Sequence, residues 1–198
     1  MALPNNKSGL PVLAFASSDE WAAWLASQPA TSKGVWLKLA KAASGIRSVS
    51  KQEAIDGALC HGWIDGQLDT FDADHWLVRF TPRRPKGKWS QVNRERALAL
   101  IKLGRMRPAG MREIEQARLD GRWEAAYAPQ SKAMVPEDLE SALDRNPGAK
   151  RRFDRLDSRN RYAILYRVQD AKKPETRAQR IEKYVTMLGR GETIYPTK

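Results

Sequence analysis

The sequence has 198 residues, one cysteine and a net charge of +12, with 41% hydrophobic and 29% charged residues. This composition is typical of a globular protein, and a single cysteine excludes an internal disulfide framework. No apolar stretch approaches the roughly 20 residues that cross a bilayer, and Lys7 is the only charge in residues 1–18. We therefore expect a soluble protein of the reducing cytoplasm, without a signal peptide or a membrane span.

The positive charge is distributed unevenly along the chain. Residues 1–78 carry a net charge of −2, residues 79–128 carry +8 and residues 129–198 carry +6. The basic excess therefore begins abruptly at Arg79. A basic field attracts nucleic acid, anionic lipid or anionic metabolites, although scattered Lys and Arg side chains also make an ordinary solvated surface.

The first half of the chain alternates helical and strand patterns. A capping box of Ser17 and Glu20 predicts a first helix that ends at Gln28–Pro29. Residues 34–40 then alternate in the manner of a strand with one buried face. A second capping box, which begins at Ser50, predicts the second helix.

The second helix is predicted to end at Gly62, which suits the left-handed C′ position. Residues 63–66 and 75–80 are predicted to be strands joined by an Asp-rich loop. Residues 81–88 contain three strong breakers of regular structure and are predicted to be a loop.

From Ser90 onward the predicted elements are helices. Ser90 caps the third helix and Pro108 opens the fourth, while residues 124–135 resemble a linker. The pattern after this linker is helical only. We predict an α+β fold with a small, mostly antiparallel sheet and packed helices over 1–127, followed by an all-helical region over 128–198.

The segment Cys60–Gly66 brings a thiol, an imidazole, an indole and a carboxylate around one helix-to-strand turn. Trp63 and Asp65 lie two residues apart on a strand and share a face, which makes a plausible platform for a ligand. Ile64 is then expected to face the core. The alternative interpretation places Trp63 in the core and leaves Asp65 to close a turn with Gly66.

Cys60 and His61 do not make a convincing catalytic pair. Adjacent helical residues point about 100° apart, and a helix C-terminus disfavours a thiolate. His61 shares a stripe with Ala54 and Ala58, where a partly buried histidine is usual. The two histidines and one cysteine also lack any metal-ligand spacing, so we expect no metal and no cofactor.

The segment from Arg79 to Arg94 is suited to an anion. Arg83 and Arg84 can bind an oxyanion bidentately, the helix that Ser90 caps exposes free N–H groups, and Trp89 offers a stacking face. Asn93 lies on the apolar stripe of that helix, so its amide requires a partner, either the backbone of the preceding loop or a ligand. A second basic cluster, over 172–180, is either a solvated face or another polyanion contact.

Several ordered motifs resemble one bacterial protein family. They are ALCHGWIDG at 58–66, FTPRR at 80–84, WSxxN at 89–93, GRMRPAG at 104–110, DGRW at 120–123 and AKKPETR at 171–177. On these motifs the chain resembles the YdeI/OmpD-associated, or bacteriocin-protection, family from about Trp36 to Gly189. The resemblance implies association with an outer-membrane porin and protection against bacteriocins or cationic peptides, and it assigns no catalytic residue.

Three functions are compatible with these observations. The first is a non-enzymatic binding or stress-resistance factor, with a site between residues 61 and 93 for an unknown anionic small molecule or a protein partner. The second is non-specific nucleic-acid binding, and the third is a hydrolase-like enzyme using His61 and Asp65. The candidate ligand-binding residues are His61, Trp63, Asp65, Arg83, Arg84, Lys88, Trp89, Ser90, Asn93 and Arg105.

Overall fold

The structure is a computed structural model that describes residues 9–196. Helices hold 50% of the described residues and strands hold 14%, so the predicted α+β class is confirmed. The chain divides into two compact units, Met1–Ala126 and Tyr127–Lys198, which are called the first unit and the second unit below. Residues 1–18, where we expected no signal peptide, lie partly outside the described residues.

The first unit contains a four-stranded sheet within its described residues, in the order β1-β2-β4-β3. The strands are Val12–Leu13 (β1), Val35–Ala40 (β2), Trp63–Thr70 (β3) and His75–Pro82 (β4). β1 runs parallel to β2, whereas β4 is antiparallel to both β2 and β3. The prediction of a small, mostly antiparallel sheet is thus confirmed.

The α-helices of the first unit begin at serine caps or at a proline. They are Ser18–Ser27 (α1), Lys51–Cys60 (α2), Gln91–Lys102 (α3) and Pro108–Leu119 (α4), with a short 3₁₀ helix at Ala42–Ser44. The predicted caps of α1, α2 and α3 each accept a backbone N–H three residues later. Only α2 has a complete capping box, because Glu20 in α1 accepts the N–H of Ala16 instead, at 2.9 Å.

The main core lies between one face of the sheet and the helices α1 and α2. Its buried side chains are Trp21, Leu25, Val35, Leu37, Leu39, Val49, Ala54, Ala58, Trp63, Val78 and Phe80. The indole Nε1 of Trp21 donates to the Ala54 carbonyl at 3.0 Å, which satisfies the polar atom of the largest buried ring.

The other face of the sheet also carries buried side chains, although the strand pattern predicted that only one face is buried. Trp36 is also buried, in a small cluster with Leu10 and Leu77.

Strand β3 continues to Thr70 instead of ending at Gly66, and β4 includes Thr81 and Pro82, which were predicted to belong to a loop. Pro82 is tolerated because it is the last residue of its strand, where a missing N–H disrupts no further pairing.

The second unit is built from helices alone among its described regular elements, as predicted. They are Glu137–Asp144 (α5), Pro147–Asp154 (α6), Ser158–Gln169 (α7) and Pro174–Gly189 (α8), after a 3₁₀ helix at Gln130–Lys132. The buried core comprises Leu139, Leu143, Ala149, Phe153, Ile164, Leu165, Val168, Ile181, Tyr184 and Leu188. None of the helices within residues 9–196 is long and apolar enough to cross a membrane.

Candidate functional site

A cavity of about 320 Å³ opens in the first unit between the start of β3, the end of β4 and the loop that follows β4. The residues that line it are Ile64, Gly66, Gln67, Arg79, Thr81, Pro82, Arg83, Arg84, Gly87 and Lys88. Four of these side chains are cationic and none is a carboxylate. The cavity therefore presents a concentrated positive field with no internal counter-charge.

Strand alternation directs Arg79 into this cavity. Val78 and Phe80 are both fully buried in the main core, so Arg79 between them projects from the opposite face of β4. Its Nη1 donates to Gln67 Oε1 at 3.4 Å, and its buried Nε has no hydrogen-bond partner within the described part of the chain. Arg79 thus keeps donor capacity that protein atoms leave unused.

A β-bulge brings Gln67 to the same place. The register changes between Asp65 and Leu68, so Gly66 and Gln67 together stand opposite Arg79 alone. A bulge of this kind bends the strand and redirects a side chain. Gly66 and Gln67 consequently both line the cavity at the position where β3 departs from regular pairing.

Arg83 is anchored from three directions directly after β4. Its N–H donates to the Gly62 carbonyl at 2.9 Å, and its Nη1 lies 3.5 Å from the Lys88 carbonyl. Its guanidinium carbon lies 3.5 Å from the centre of the Trp89 ring. A desolvated cation–π contact of this kind stabilises the arrangement by about 2 kcal/mol.

Trp89 supports Arg83 instead of offering a free stacking face. The ring is 2% exposed and meets Trp123 edge-on, with ring centres 4.9 Å apart. The stacking role predicted for Trp89 therefore does not fit, because Arg83 occupies one face and the core surrounds the remainder.

The loop beside the cavity is held as a tight turn. The Gly87 N–H donates to the Arg84 carbonyl at 2.8 Å, and Lys86 adopts a left-handed φ of 64° between them. Arg122 donates from Nη1 to the Gly87 carbonyl at 2.7 Å and is itself fixed by Asp120, with Nε and Oδ1 2.8 Å apart. These contacts leave the exposed side chains of Arg84 and Lys88 at the mouth of the cavity.

Three of the ten candidate residues line the cavity, namely Arg83, Arg84 and Lys88. The predicted platform of Trp63 and Asp65 does not form, because the face they share is the core side of β3. Trp63 packs edge-on against Trp24 at 5.6 Å, and Asp65 stands opposite the buried Phe80.

The remaining candidates have other surroundings. His61 caps α2 with Nδ1 2.9 Å from the Gly57 carbonyl, and Ser90 caps α3. Arg105 is exposed directly after α3. Asn93 is half-buried, and its side-chain amide makes no hydrogen bond to any described residue. Of the two partners considered for it from the sequence, the backbone of the preceding loop is therefore not found.

The sequence interpretation missed Arg79, Thr81 and Gln67, and it assigned Ile64 to the core. A usable signal existed for two of them. Arg79 and Thr81 alternate with Val78 and Phe80, and two buried apolar residues at that spacing direct the residues between them to the other face.

The cationic side chains of the cavity are suited to bind an oxyanion. Guanidinium and ammonium groups bind phosphate, sulfate or carboxylate through charge-assisted hydrogen bonds. Cys60 lies outside the lining, and burial raises the pKa of its thiol. No hydrogen bond or ion pair joins His61 to Asp65 within residues 9–196, where no group of His, Cys, Asp and Glu could hold a metal ion.

The Asp-rich turn between β3 and β4, residues 71–74, is held by hydrogen bonds to neighbouring residues of the protein. Asp72 accepts hydrogen bonds from the backbone of Asp74 and His75 and lies 2.9 Å from the His75 Nδ1. Lys41 donates to the carbonyls of Asp72 and Ala73. These contacts close the turn between β3 and β4 and give the Asp72 carboxylate a structural role.

Comparison with known proteins gives two matches to family models. Residues 13–113 match the domain of unknown function DUF8412, and residues 132–191 match the family described as Bacteriocin-protection, YdeI or OmpD-Associated. Searches of the curated proteins and of the solved structures found no match. The resemblance drawn from the sequence is thus confirmed for residues 132–191, while the GWIDG and FTPRR motifs fall within the other model. Because the first model covers just over half of the chain, this protein belongs to the DUF8412 family, and its residues 132–191 are similar to the bacteriocin-protection, YdeI or OmpD-associated family.

Proposed function

We propose that the first unit binds a small molecule bearing a phosphate, sulfate or carboxylate group, and that the protein acts as a binding or stress-resistance factor. The observation that carries the proposal is the convergence of Arg79, Arg83, Arg84 and Lys88 on one cavity without a carboxylate in its lining. Like charges in a shared recess repel one another, so an anion that enters it relieves an unfavourable arrangement.

Two arginine side chains of the cavity hold their hydrogen-bond donors in place before a ligand binds. Arg83 is held against Trp89, which fixes its guanidinium before any ligand arrives. Arg79 retains a buried Nε donor that has no hydrogen-bond partner among residues 9–196. Preorganised donors lose less conformational entropy on binding, which raises affinity for an anion that matches their geometry.

The size of the cavity favours a small ligand. A volume of about 320 Å³ lies at the lower end of the range usual for small-molecule sites. Ile64 and Pro82 contribute apolar surface beside the cations. An organic anion with a short carbon skeleton would use both kinds of surface.

The biological setting follows from charge and cysteine content. A protein of net charge +12 repels cationic peptides at long range, which favours resistance through an anionic ligand over direct capture of such a peptide. The single cysteine, Cys60, is free and buried, which supports a reducing compartment such as the cytoplasm.

The test is isothermal titration of the full chain with inorganic phosphate, pyrophosphate and citrate at about 150 mM salt, where long-range attraction is screened. Arg84→Ala removes an exposed cavity cation, and Arg112→Ala removes an exposed cation of α4 that is not part of the cavity lining. Loss of one charge-assisted contact should weaken binding about tenfold or more in Arg84→Ala. Arg112→Ala should bind like the wild type.

Equal weakening in both variants, or no saturable binding of any of the three anions, would overturn the proposal. Nucleic acid is the second candidate, supported by the net charge of +8 over residues 79–128. A labelled oligonucleotide that binds at about 150 mM salt and requires Arg84, while the small anions do not bind, would establish that candidate instead.

A further inference from the structure

The second unit has a cavity of its own, of about 510 Å³, beside α6 and the end of α8. Its polar lining includes Arg151, Arg152, Arg155 and Thr193, and its apolar lining consists of Leu156 and Leu188. No carboxylate is among its lining residues. The cavity therefore combines three guanidinium groups with a small apolar surface.

The surrounding segment is strongly basic. Residues 145–161 contain seven basic and two acidic side chains. Of the two acids, Asp157 is occupied as the N-cap of α7, where it accepts hydrogen bonds from the backbone and the side chain of Asn160. The local field is accordingly positive, and little of it is neutralised at the cavity.

Arg152 is held in place by the turn that follows α8. Its Nη1 donates to the Gly191 carbonyl at 2.8 Å. Gly191 has a φ of 84°, and a Cβ there would lie within 3.2 to 3.3 Å of three guanidinium atoms. The glycine thus lets the guanidinium lie close against the backbone. Among the described residues this is the one hydrogen bond of the Arg152 side chain, so four of its N–H donors remain for a ligand.

Arg151 and Arg155 are exposed and lie four residues apart, so they share one side of α6 and its C-cap. Neither side chain makes a hydrogen bond or an ion pair with another residue in the described range 9–196. Together with Arg152 they offer several free guanidinium donors to one cavity.

Two basic residues of α8 are already engaged in contacts within the second unit. Arg177 binds Asp138 through Nε and Nη2, at 2.5 and 2.8 Å, and Arg180 donates to the Arg167 carbonyl. The cluster over 172–180, considered from the sequence as a second polyanion contact, thus has two of its cations bound within the protein. Arg151 and Arg155, by contrast, have no side-chain hydrogen bond or ion pair within residues 9–196.

We propose that this second cavity is a binding site for a phosphorylated small molecule. The phosphate would lie among Arg151, Arg152 and Arg155, and the organic part would pack on Leu156 and Leu188. Arginine forks match phosphate oxygens bidentately, and the volume falls within the range of small-molecule sites. The site uses other residues than the cavity of the first unit and does not depend on the function proposed for it.

The test uses the full chain carrying Arg84→Ala, so that the cavity of the first unit is already weakened, with pyrophosphate and adenosine monophosphate as separate probes in isothermal titration. We expect saturable binding of one equivalent at about 150 mM salt. Adding Arg151→Ala and Arg155→Ala should weaken it by at least about tenfold. Inorganic phosphate is titrated as a reference, and tighter binding of adenosine monophosphate than of inorganic phosphate would show that the apolar surface contributes.

Arg145→Ala is the matched control, because Arg145 is exposed at the end of α5 and is not part of the cavity lining. It should bind both probes like its parent, and circular dichroism checks that each variant folds. Absence of saturable binding, or equal weakening by Arg145→Ala, would overturn the proposal. An oligonucleotide that binds where both small probes fail would also overturn it, in favour of a nucleic-acid surface.

Discussion

The first turn of α4 lies against the end of α2 at Gly110. A Cβ at this position would meet the Cys60 carbonyl oxygen at 2.5 Å, the Leu59 carbonyl oxygen at 2.6 Å and the Met106 sulfur at 2.5 Å. The Arg107 N–H also donates to the Cys60 carbonyl, at 3.2 Å. Two of the three close atoms are backbone oxygens, so a new methyl group requires the two helices to separate.

Gly110→Ala therefore has two opposing effects of known size on stability. Alanine in place of glycine favours a helix by about 1 kcal/mol. Overpacking of a tight contact costs about 1–3 kcal/mol, and more when backbone must move. Because the neighbours at Gly110 are mostly backbone, we expect the clash to dominate by about 2 kcal/mol, which lowers the melting temperature by roughly 4–8 °C in a chain of this length.

Differential scanning calorimetry of Gly110→Ala and Gly148→Ala measures this balance. Gly148 is the second residue of α6, and a Cβ there meets only Asn146 Oδ1 at 3.6 Å. The same chemical change should be neutral or stabilising by less than about 1 kcal/mol at Gly148. A melting temperature of Gly110→Ala at or above the wild-type value would refute the close packing of α2 and α4.

Two further predictions concern the loop beside the first cavity and one ion pair. Lys86→Gly should stabilise the protein by about 0.5–1 kcal/mol in chemical denaturation, because it relieves the left-handed φ of 64° at Lys86; a loss of stability would contradict this. The hydrogen bond from Arg177 lowers the pKa of Asp138. The stability that this ion pair gives to the fold is therefore present above the unfolded-state pKa of Asp138, about 4, and is lost as the pH falls through its folded-state pKa. The difference in melting temperature between wild type and Asp138→Asn should then shrink from pH 7 to about pH 2, whereas a constant difference would count against the ion pair.

Local signals predicted the elements of this fold well. Ser17, Ser50 and Ser90 cap helices at the expected places, and Pro108 and Pro174 open two others. A cap depends on hydrogen bonds within one turn, so the necessary information lies within a few neighbouring residues.

The site was harder to predict because it depends on pairing between strands. Trp63 and Ile64 are both apolar, and alternation alone does not reveal which of them faces the core. The bulge at Gly66 and Gln67 arises only when β3 pairs with β4, and it brings Gln67 beside Arg79. The sequence therefore identified the basic loop at Arg83 and held a signal for Arg79 and Thr81, but it could not supply the bulge that brings Gln67 into the cavity.

The central claim, that the cavity of the first unit binds an oxyanion, is tested most directly by anomalous diffraction from crystals soaked in selenate. Selenium provides an anomalous signal in an ion of sulfate-like shape and charge. The proposed function predicts a selenium peak within hydrogen-bond reach of Arg79, Arg83 and Arg84, which weakens in Arg84→Ala crystals and persists in Arg112→Ala crystals. Ordered selenate elsewhere on the protein, with none in that cavity, would contradict it.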